Sequence, residues 1–161
     1  GSEMCIRDRA ETVRQATRIA RLARQHGITL CVHPHYNTIV ERADELAYVA
    51  EHTDPDLVYL TLDTAHTVLG GMDPVATFAQ YAPRVRYVHM KDILPTQELG
   101  PQWWSGFREL GRGVVNFPEV VSILKRAGFD GVLCVELDNP RVCGYRSAAI
   151  SRQYLRDELG L

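Results

Sequence analysis

The sequence lacks a long apolar run and lacks an excess of positive charge, and each absence argues against a class of protein. No stretch approaches the roughly 20 apolar residues that a bilayer crossing needs. The 18 Lys and Arg side chains stand against 20 Asp and Glu, so the formal net charge is -2. That balance provides no electrostatic footprint for nucleic acid. We therefore expect neither a membrane nor a nucleic acid as partner.

Closely spaced cysteine pairs are also missing. The four cysteines, Cys5, Cys31, Cys134 and Cys143, contain no C-x-x-C spacing, and two of them fall inside predicted strands. We expect reduced thiols in a cytoplasmic protein rather than a disulfide framework. With 161 residues, 45% of them hydrophobic, the chain is long enough for one core and too short for two ordinary domains.

Four short apolar stretches end in His, Asp, Glu or Lys. They are Ile28–His35, Leu57–His66, Val85–Asp92 and Gly131–Asp138. Nearly unbroken apolar and β-branched runs of this length are typical of buried parallel strands. We predict four parallel strands that bring metal-binding and acid-base groups to one end of a sheet.

Helical patterns alternate with these strands. They cover residues 10–26, a stretch from a capping box at Thr38–Glu41 to His52, Asp73 to Tyr81, Asn116 to Gly128, and about Ser147 to Leu159. Residues 93–115 form a long irregular segment, and such segments are usually functional. Residues 1–9 resemble a tag or adaptor-derived start, so we treat them as not native and place the fold in residues 10–161. Regular β-α alternation predicts right-handed crossovers.

Side-chain parity indicates a barrel rather than a flat sheet. Positions two apart on a strand share a face, so Thr61 and Asp63 lie opposite Leu60 and Leu62. The other three strands repeat this division into an aliphatic face and a mixed polar face. The aliphatic face of each strand must be covered by helices. The mixed faces of the strands must then face one another, as they do inside a β/α barrel. A complete barrel has eight strands and roughly 250 residues, so we predict the C-terminal half of one.

The residues resemble those of the xylose-isomerase-like barrels, which include sugar phosphate isomerases, epimerases and inosose dehydratases. Six motifs carry the resemblance, in order: H-P-H-Y-N-T at 33–38, L-D-T-A-H at 62–66, G-G-M-D-P at 70–74, R-V-R-Y-V-H-M-K-D at 84–92, L-G-R-G-V-V-N-F at 110–117 and V-E-L-D at 135–138. The resemblance covers essentially everything from Gly27 to Leu161. No single motif is decisive, but six in this order are specific.

The resemblance implies a divalent metal site and two further roles. Asp63, His89 and Glu136 match the family's metal ligands, with Glu136 also a candidate catalytic group. His66 matches a histidine that contacts substrate, and Lys91 matches a cation that polarises it. The alternatives stay open: Asp63 as a helix cap, His89 as a core histidine, Glu136 as an ion-pair partner, and Lys91 as a simple partner of a nearby aspartate.

One departure from the family pattern affects the expected reaction. Many of its isomerases and epimerases have a fourth ligand, a Glu, on the strand that here ends in H-P-H. His33 occupies that place and is a candidate ligand, while His35 is a candidate substrate contact. The missing carboxylate weakens a two-base epimerisation and adds weight to an inosose-like dehydratase.

Five further residues are weaker candidates. Trp103 and Trp104 form either a lid over a sugar face or ordinary packing of the long segment against the barrel rim. Arg112 is either a substrate contact or a solvated surface arginine. Arg141 and Arg146, in the last strand-helix loop, are candidates for contact with an anion.

The leading function is a metal-dependent sugar or cyclitol isomerase or epimerase. Mn, Co, Mg or Zn would polarise a carbonyl so that the neighbouring carbon loses a proton more easily. The first alternative is a dehydratase, a lyase, with the same site. The second is a barrel fragment that binds metal or a partner without turnover. A homodimer in which two copies complete one barrel stays open.

Overall fold

The computed structural model of the chain describes residues 3–141 and 143–161. The strands, β1 to β6, are Leu30–Val32, Val58–Asp63, Val85–Met90, Asp92–Ile93, Phe107–Arg108 and Val132–Val135. The helices, α1 to α6, are Glu3–Gln25, Ala43–His52, Thr64–Leu69, Pro74–Tyr81, Phe117–Arg126 and Gly144–Leu159. Short 3-10 turns follow α4 and interrupt the segment between β4 and β5.

The main sheet contains four parallel strands in the order β1-β2-β3-β6. This confirms the four predicted parallel strands. The carboxyl ends of all four strands therefore lie at the same edge. The long segment after β3 forms a small antiparallel pair instead, with Asp92 opposite Arg108 and Ile93 opposite Phe107.

A bulge in β3 preserves the division between the two faces of the sheet. Val85 pairs with Leu60, but the next residue of β2, Thr61, pairs with Tyr87, so β3 holds one extra residue. Val85 and Val88 are consequently both fully buried on the helix side. Without the bulge, the polar end of β3 would turn away from that of β2.

Helices α2, α4, α5 and α6 bury the aliphatic face. Leu46, Phe78, Phe117, Val120 and Leu159 contribute to one core with the outward side chains of β2 and β3. Two of these helices begin at the caps that the sequence predicts. The Asp73 carboxylate accepts from Ala76 N at 2.7 Å and the Asn116 side chain from Glu119 N at 3.3 Å, and a Pro follows each cap within two residues.

Three helix boundaries differ from the prediction. Helix α1 begins at Glu3 and α6 at Gly144, both earlier than expected. The capping box predicted at Thr38–Glu41 is wrong, because α2 begins at Ala43. The Glu45 carboxylate instead accepts a hydrogen bond from the backbone amide of Arg42 at 2.9 Å. The Thr38 hydroxyl instead donates to His35 O at 2.6 Å within the preceding loop.

Strands β1 and β6 each have one partner strand within residues 3–141 and 143–161, so both edges of the sheet are open. Apolar side chains near the β1 edge are partly uncovered, among them Ile19 and Ile28, which are 50% and 62% exposed. An open edge of this kind is where further strands of a barrel would add. None of the described helices combines the length and apolarity of a transmembrane span.

Candidate metal centre

Asp63 ends β2 and begins α3, and its two carboxylate oxygens face different partners. Oδ1 accepts hydrogen bonds from the backbone amides of Ala65 and His66, at 2.8 and 2.9 Å. This capping explains why a six-residue helix starts directly after the strand. Oδ2 points toward the neighbouring strand, 3.6 Å from His89 Nδ1 and 3.7 Å from Lys91 Nζ. The helix-cap role therefore leaves one oxygen free for the site.

His33, Asp63 and His89 converge at the strand ends. One possible ligand atom from each lies within 4.8 Å of the others. His33 follows β1 directly, and Asp63 and His89 are register partners on β2 and β3, so the parallel sheet itself brings the three together. The ring centroids of His33 and His89 are 4.8 Å apart.

Several polar atoms in this region are buried and have no hydrogen-bond partner among the described residues. They are His33 Nε2, Asp63 Oδ2, His66 Nε2, His89 Nδ1 and Glu136 Oε2. Such atoms are costly in a folded protein unless a bound group satisfies them. Nitrogen and oxygen donors in one small space are the ligand set of Mn²⁺, Co²⁺ or Zn²⁺. The residues present therefore fit a divalent cation.

Glu136 contacts this cluster through His89. Its Oε2 is 2.5 Å from His89 Nδ1, without the alignment of a hydrogen bond. Asp63 and Glu136 together hold the pKa of His89 above its usual value, against the effect of burial. The 3.6 Å distance from His89 Nδ1 to Asp63 Oδ2 is longer than a hydrogen bond.

Lys91 is a buried cation surrounded by three carboxylates. Its Nζ lies 2.9 Å from Asp138, 3.0 Å from Glu136 and 3.7 Å from Asp63, and its side chain is 1% exposed. The Phe107 ring packs 4.6 Å from the ammonium group. Burial would lower the pKa of Lys91, but the three carboxylates raise it overall. Lys91 is therefore a protonated group, paired with Asp138 rather than with Asp92.

His66 presents a hydrogen-bond donor to the same region. Its Nδ1 accepts from the amide of Tyr36 at 3.4 Å, and burial lowers its pKa to about 4. A neutral imidazole that accepts at Nδ1 carries its proton on Nε2, the unpartnered atom. His35 lies against this ring, with centroids 3.6 Å apart. Burial likewise lowers the pKa of His33 to about 4, so His33 is a neutral potential ligand.

Trp103, in the long segment, lies beside His66. Its ring lies 5.0 Å from that of Tyr36, 5.9 Å from His66 and 5.9 Å from Phe107. Trp104 contacts Trp103 and is 42% exposed. Trp103 is therefore placed as a wall of the site, and Trp104 lies further out.

The structure also gives roles to residues that sequence reasoning left aside. The buried Asp92 carboxylate accepts from the amides of Gly113 at 2.8 Å and Val115 at 3.1 Å, so it ties the H-M-K-D motif to the G-R-G motif. Arg112, which the sequence already marked as a candidate, is largely exposed and lies 3.8 Å from Glu109. Tyr36 directly follows the H-P-H motif, and Phe107 belongs to the aromatic part of the long segment. Their positions in the sequence were the only signals that could have marked Tyr36 and Phe107 as residues near the site.

A parallel β/α sheet with imidazole and carboxylate groups at its strand ends is the arrangement of a β/α-barrel enzyme. The chain belongs to the xylose isomerase-like TIM barrel family, whose sequence model matches residues 2–158. It forms four strand-helix units of such a barrel.

Three relatives illustrate the similarity. An inosose dehydratase of Geobacillus kaustophilus (strain HTA426) is 33% identical over 150 residues, covering 86% of this chain and 49% of that protein. The chain therefore spans about half the length of the curated relatives it matches. The probable 3-DHS dehydratase AsbF of Bacillus anthracis superposes with a TM-score of 0.77 at 21% identity, covering 94% of this chain and 58% of the other. The IolI protein, solved with a zinc atom, gives 0.75 at 20% identity, covering 92% and 55%.

Proposed function

We propose that the chain carries the metal centre of a dehydratase that acts on a keto sugar or keto cyclitol. The observation that carries the proposal is the cluster of His33, Asp63 and His89, with the Lys91–Glu136 charge pair beside it. Similarity to inosose dehydratases supports the lyase reaction.

A divalent ion at His33, Asp63 and His89 would supply a Lewis acid that polarises the substrate carbonyl. The zinc atom in the IolI protein supports a divalent ion in this family. Mn²⁺, Co²⁺, Mg²⁺ and Zn²⁺ all remain candidates.

In this proposal Glu136 acts as the base and Lys91 as the acid. Glu136 takes the proton from the carbon next to the carbonyl, and the electrons of that C–H bond form a C=C bond. The hydroxyl on the following carbon leaves with a proton from Lys91, so water is lost. Because Nζ and Oε1 are 3.0 Å apart, the proton on Glu136 can return to Lys91. The two residues then have their starting charges.

His66 and Trp103 hold the substrate and exclude water. The Nε2–H of His66 donates to a substrate oxygen, and His35 supports its ring from one side. The Trp103 ring provides an apolar wall of the kind that sugar rings pack against.

Isomerisation or epimerisation is the second candidate, because it begins with the same proton removal. Glu136 supports it, since the carboxyl group that has taken the proton can return that proton to the neighbouring carbon. Dehydration ranks first because two-base epimerisation requires a base on each face of one carbon. Here His33 stands where a second carboxylate would be.

Turnover assays on the purified chain separate these reactions. We would supply each divalent metal with 2-keto-myo-inositol, follow ultraviolet absorbance of the conjugated product, and incubate a ketose panel in D₂O for NMR. Metal-dependent loss of water from the keto-inositol, absent in Asp63→Asn, is the expected result. Isomerised or epimerised ketoses without dehydration would establish the second candidate. Tight metal binding without any turnover would contradict both and leave a binding fragment.

A further inference from the structure

A second cavity, of about 470 Å³, lies outside the metal centre. It is lined by Arg108, Glu109, Arg112, Arg141, Arg146 and Ile150. These residues come from β5, from the loop after it, from the loop after β6 and from the first two turns of α6. The cavity therefore opens among the loops that follow the carboxyl ends of the strands.

Positive charge in this cavity is largely uncompensated. Its one carboxylate, Glu109, is already engaged: Oε1 accepts from the Ser147 hydroxyl at 2.8 Å and Oε2 lies 3.8 Å from Arg112. Across residues 3–141 and 143–161, no carboxylate lies within 4.0 Å of a guanidinium nitrogen of Arg108, Arg141 or Arg146. The cavity is thus lined by four guanidinium groups and a single carboxylate, that of Glu109.

Arg108 is held in place by the backbone. Its Nη1 donates to Ser105 O at 2.8 Å and to Phe107 O at 2.7 Å. Nε and Nη2 have no acceptor within the described part of the chain and stay available to a ligand. A guanidinium that is already fixed loses little freedom when it binds an oxyanion.

The surroundings of Arg108 add to the positive potential. After burial, the charge of Arg141 is the next cause that lowers the pKa of Arg108, so these guanidiniums repel each other. Arg146 lies in the first turn of the 16-residue helix α6, where the helix dipole is positive. A bound anion would relieve both effects.

We propose that this cavity binds a phosphate group. An excess of three positive charges suits a dianion better than a single carboxylate, and guanidinium forks match phosphate oxygens. The source is either inorganic phosphate or the phosphate ester of a small molecule. The proposal does not rest on the proposed function, because none of the lining residues belongs to the metal centre.

Phosphorus NMR titrations of the chelator-treated chain test the proposal. Inorganic phosphate and glycerol 3-phosphate would be titrated at constant ionic strength, with acetate added as a competitor. We expect saturable phosphate binding that Arg108→Gln and Arg146→Gln each weaken about tenfold. The matched control, Arg126→Gln, changes an arginine that already pairs with Glu119 at 3.1 Å and should leave binding unchanged. Asp63→Asn should also leave it unchanged.

Each outcome decides one part of the proposal. The absence of saturable binding, or equal losses in Arg126→Gln, would overturn it, as would acetate that competes as well as phosphate. If the ester binds as tightly as phosphate, the ligand is a phosphorylated molecule; if the ester is excluded, the ligand is the free ion. Arg108→Lys retains the charge but loses the fork, so an intermediate loss is expected even if Arg108→Gln folds poorly.

Discussion

The Lys91 ammonium and the Glu136 carboxylate form an ion pair of 3.0 Å in which the lysine is almost wholly buried and the glutamate is 32% exposed. The glutamate therefore remains accessible to a substrate while the lysine keeps its charge. Asp63 and Asp138 also face the ammonium group. The lysine thus neutralises carboxylates that would otherwise repel one another in the metal-free chain.

Replacing Lys91 should lower the stability of the metal-free chain more than the stability of the metal-bound chain. In Lys91→Met the carboxylates lose their partner, so we expect the metal-free chain to lose about 3 kcal/mol of unfolding free energy. Mn²⁺ should restore much of this loss, because a cation again faces the carboxylates. Urea unfolding with and without Mn²⁺ measures both effects. The exposed Lys125 provides the control: Lys125→Met should change neither quantity, and equal behaviour of the two variants would refute the role of Lys91.

Asp63 both caps helix α3 and is a candidate metal ligand. The same substitution at Asp63 and at a second helix cap, Asp73, tests these two roles separately. Asn caps a helix about as well as Asp, so Asp63→Asn should retain α3 and leave metal-free stability within about 1 kcal/mol. Its metal affinity should fall at least tenfold, roughly the loss that even an outer partner of a metal site causes. Asp73→Asn makes the same change at the cap of α4. The metal-induced rise in melting temperature should shrink in the first variant alone.

The groups at the strand ends could be predicted from the sequence because polar and aliphatic side chains alternate along each strand with a period of two. Asp63 and His89 are register partners, and parallel strands necessarily place such ends together. The spacing of residues in the sequence could not show whether His33 or Glu136 is the third ligand beside Asp63 and His89. The answer depends on differences of a few ångströms between side-chain atoms. The roles of these side chains as ligands remain predictions.

Other features depend on contacts that leave no local pattern. Helix α3 has six residues, too few for a helical period to show beside the preceding strand. The capping-box form at Thr38 was misleading because a Ser or Thr hydroxyl serves a loop as well as a helix start. The contact between Asp92 and Gly113 joins residues that are 21 positions apart, so it required the fold.

The hydrogen bond between Ser147 and Glu109 should make stability depend on pH in a defined direction. Burial opposes ionisation of Glu109, but the Ser147 hydroxyl and Arg112 hold its pKa below the usual value. A lowered carboxyl pKa stabilises the fold above the unfolded pKa of about 4.3, and the effect disappears as pH falls through the folded pKa. Ser147→Ala should therefore cost about 1.5–3 kcal/mol at neutral pH and progressively less in acid.

Urea unfolding at several pH values measures this difference. Ser122→Ala is the control, because its hydroxyl accepts from Arg126 at 2.6 Å and an arginine keeps its charge throughout the range. Its cost should not vary with pH. A pH-independent cost for Ser147→Ala would show that the hydroxyl contributes packing rather than a bond to an ionised Glu109.

Gly113 is required because the backbone of the G-R-G motif approaches Asp92 closely. A Cβ at Gly113 would collide with Asp92 Oδ1 and with the backbone oxygen of Ile93. Gly113→Ala should therefore displace the carboxylate from its amide donors and cost about 2–3 kcal/mol of unfolding free energy. A Cβ at Gly100 meets no atom within 4 Å, so Gly100→Ala should stay within about 0.5 kcal/mol. Equal unfolding midpoints in urea would show that the Asp92 contact does not hold the two motifs together.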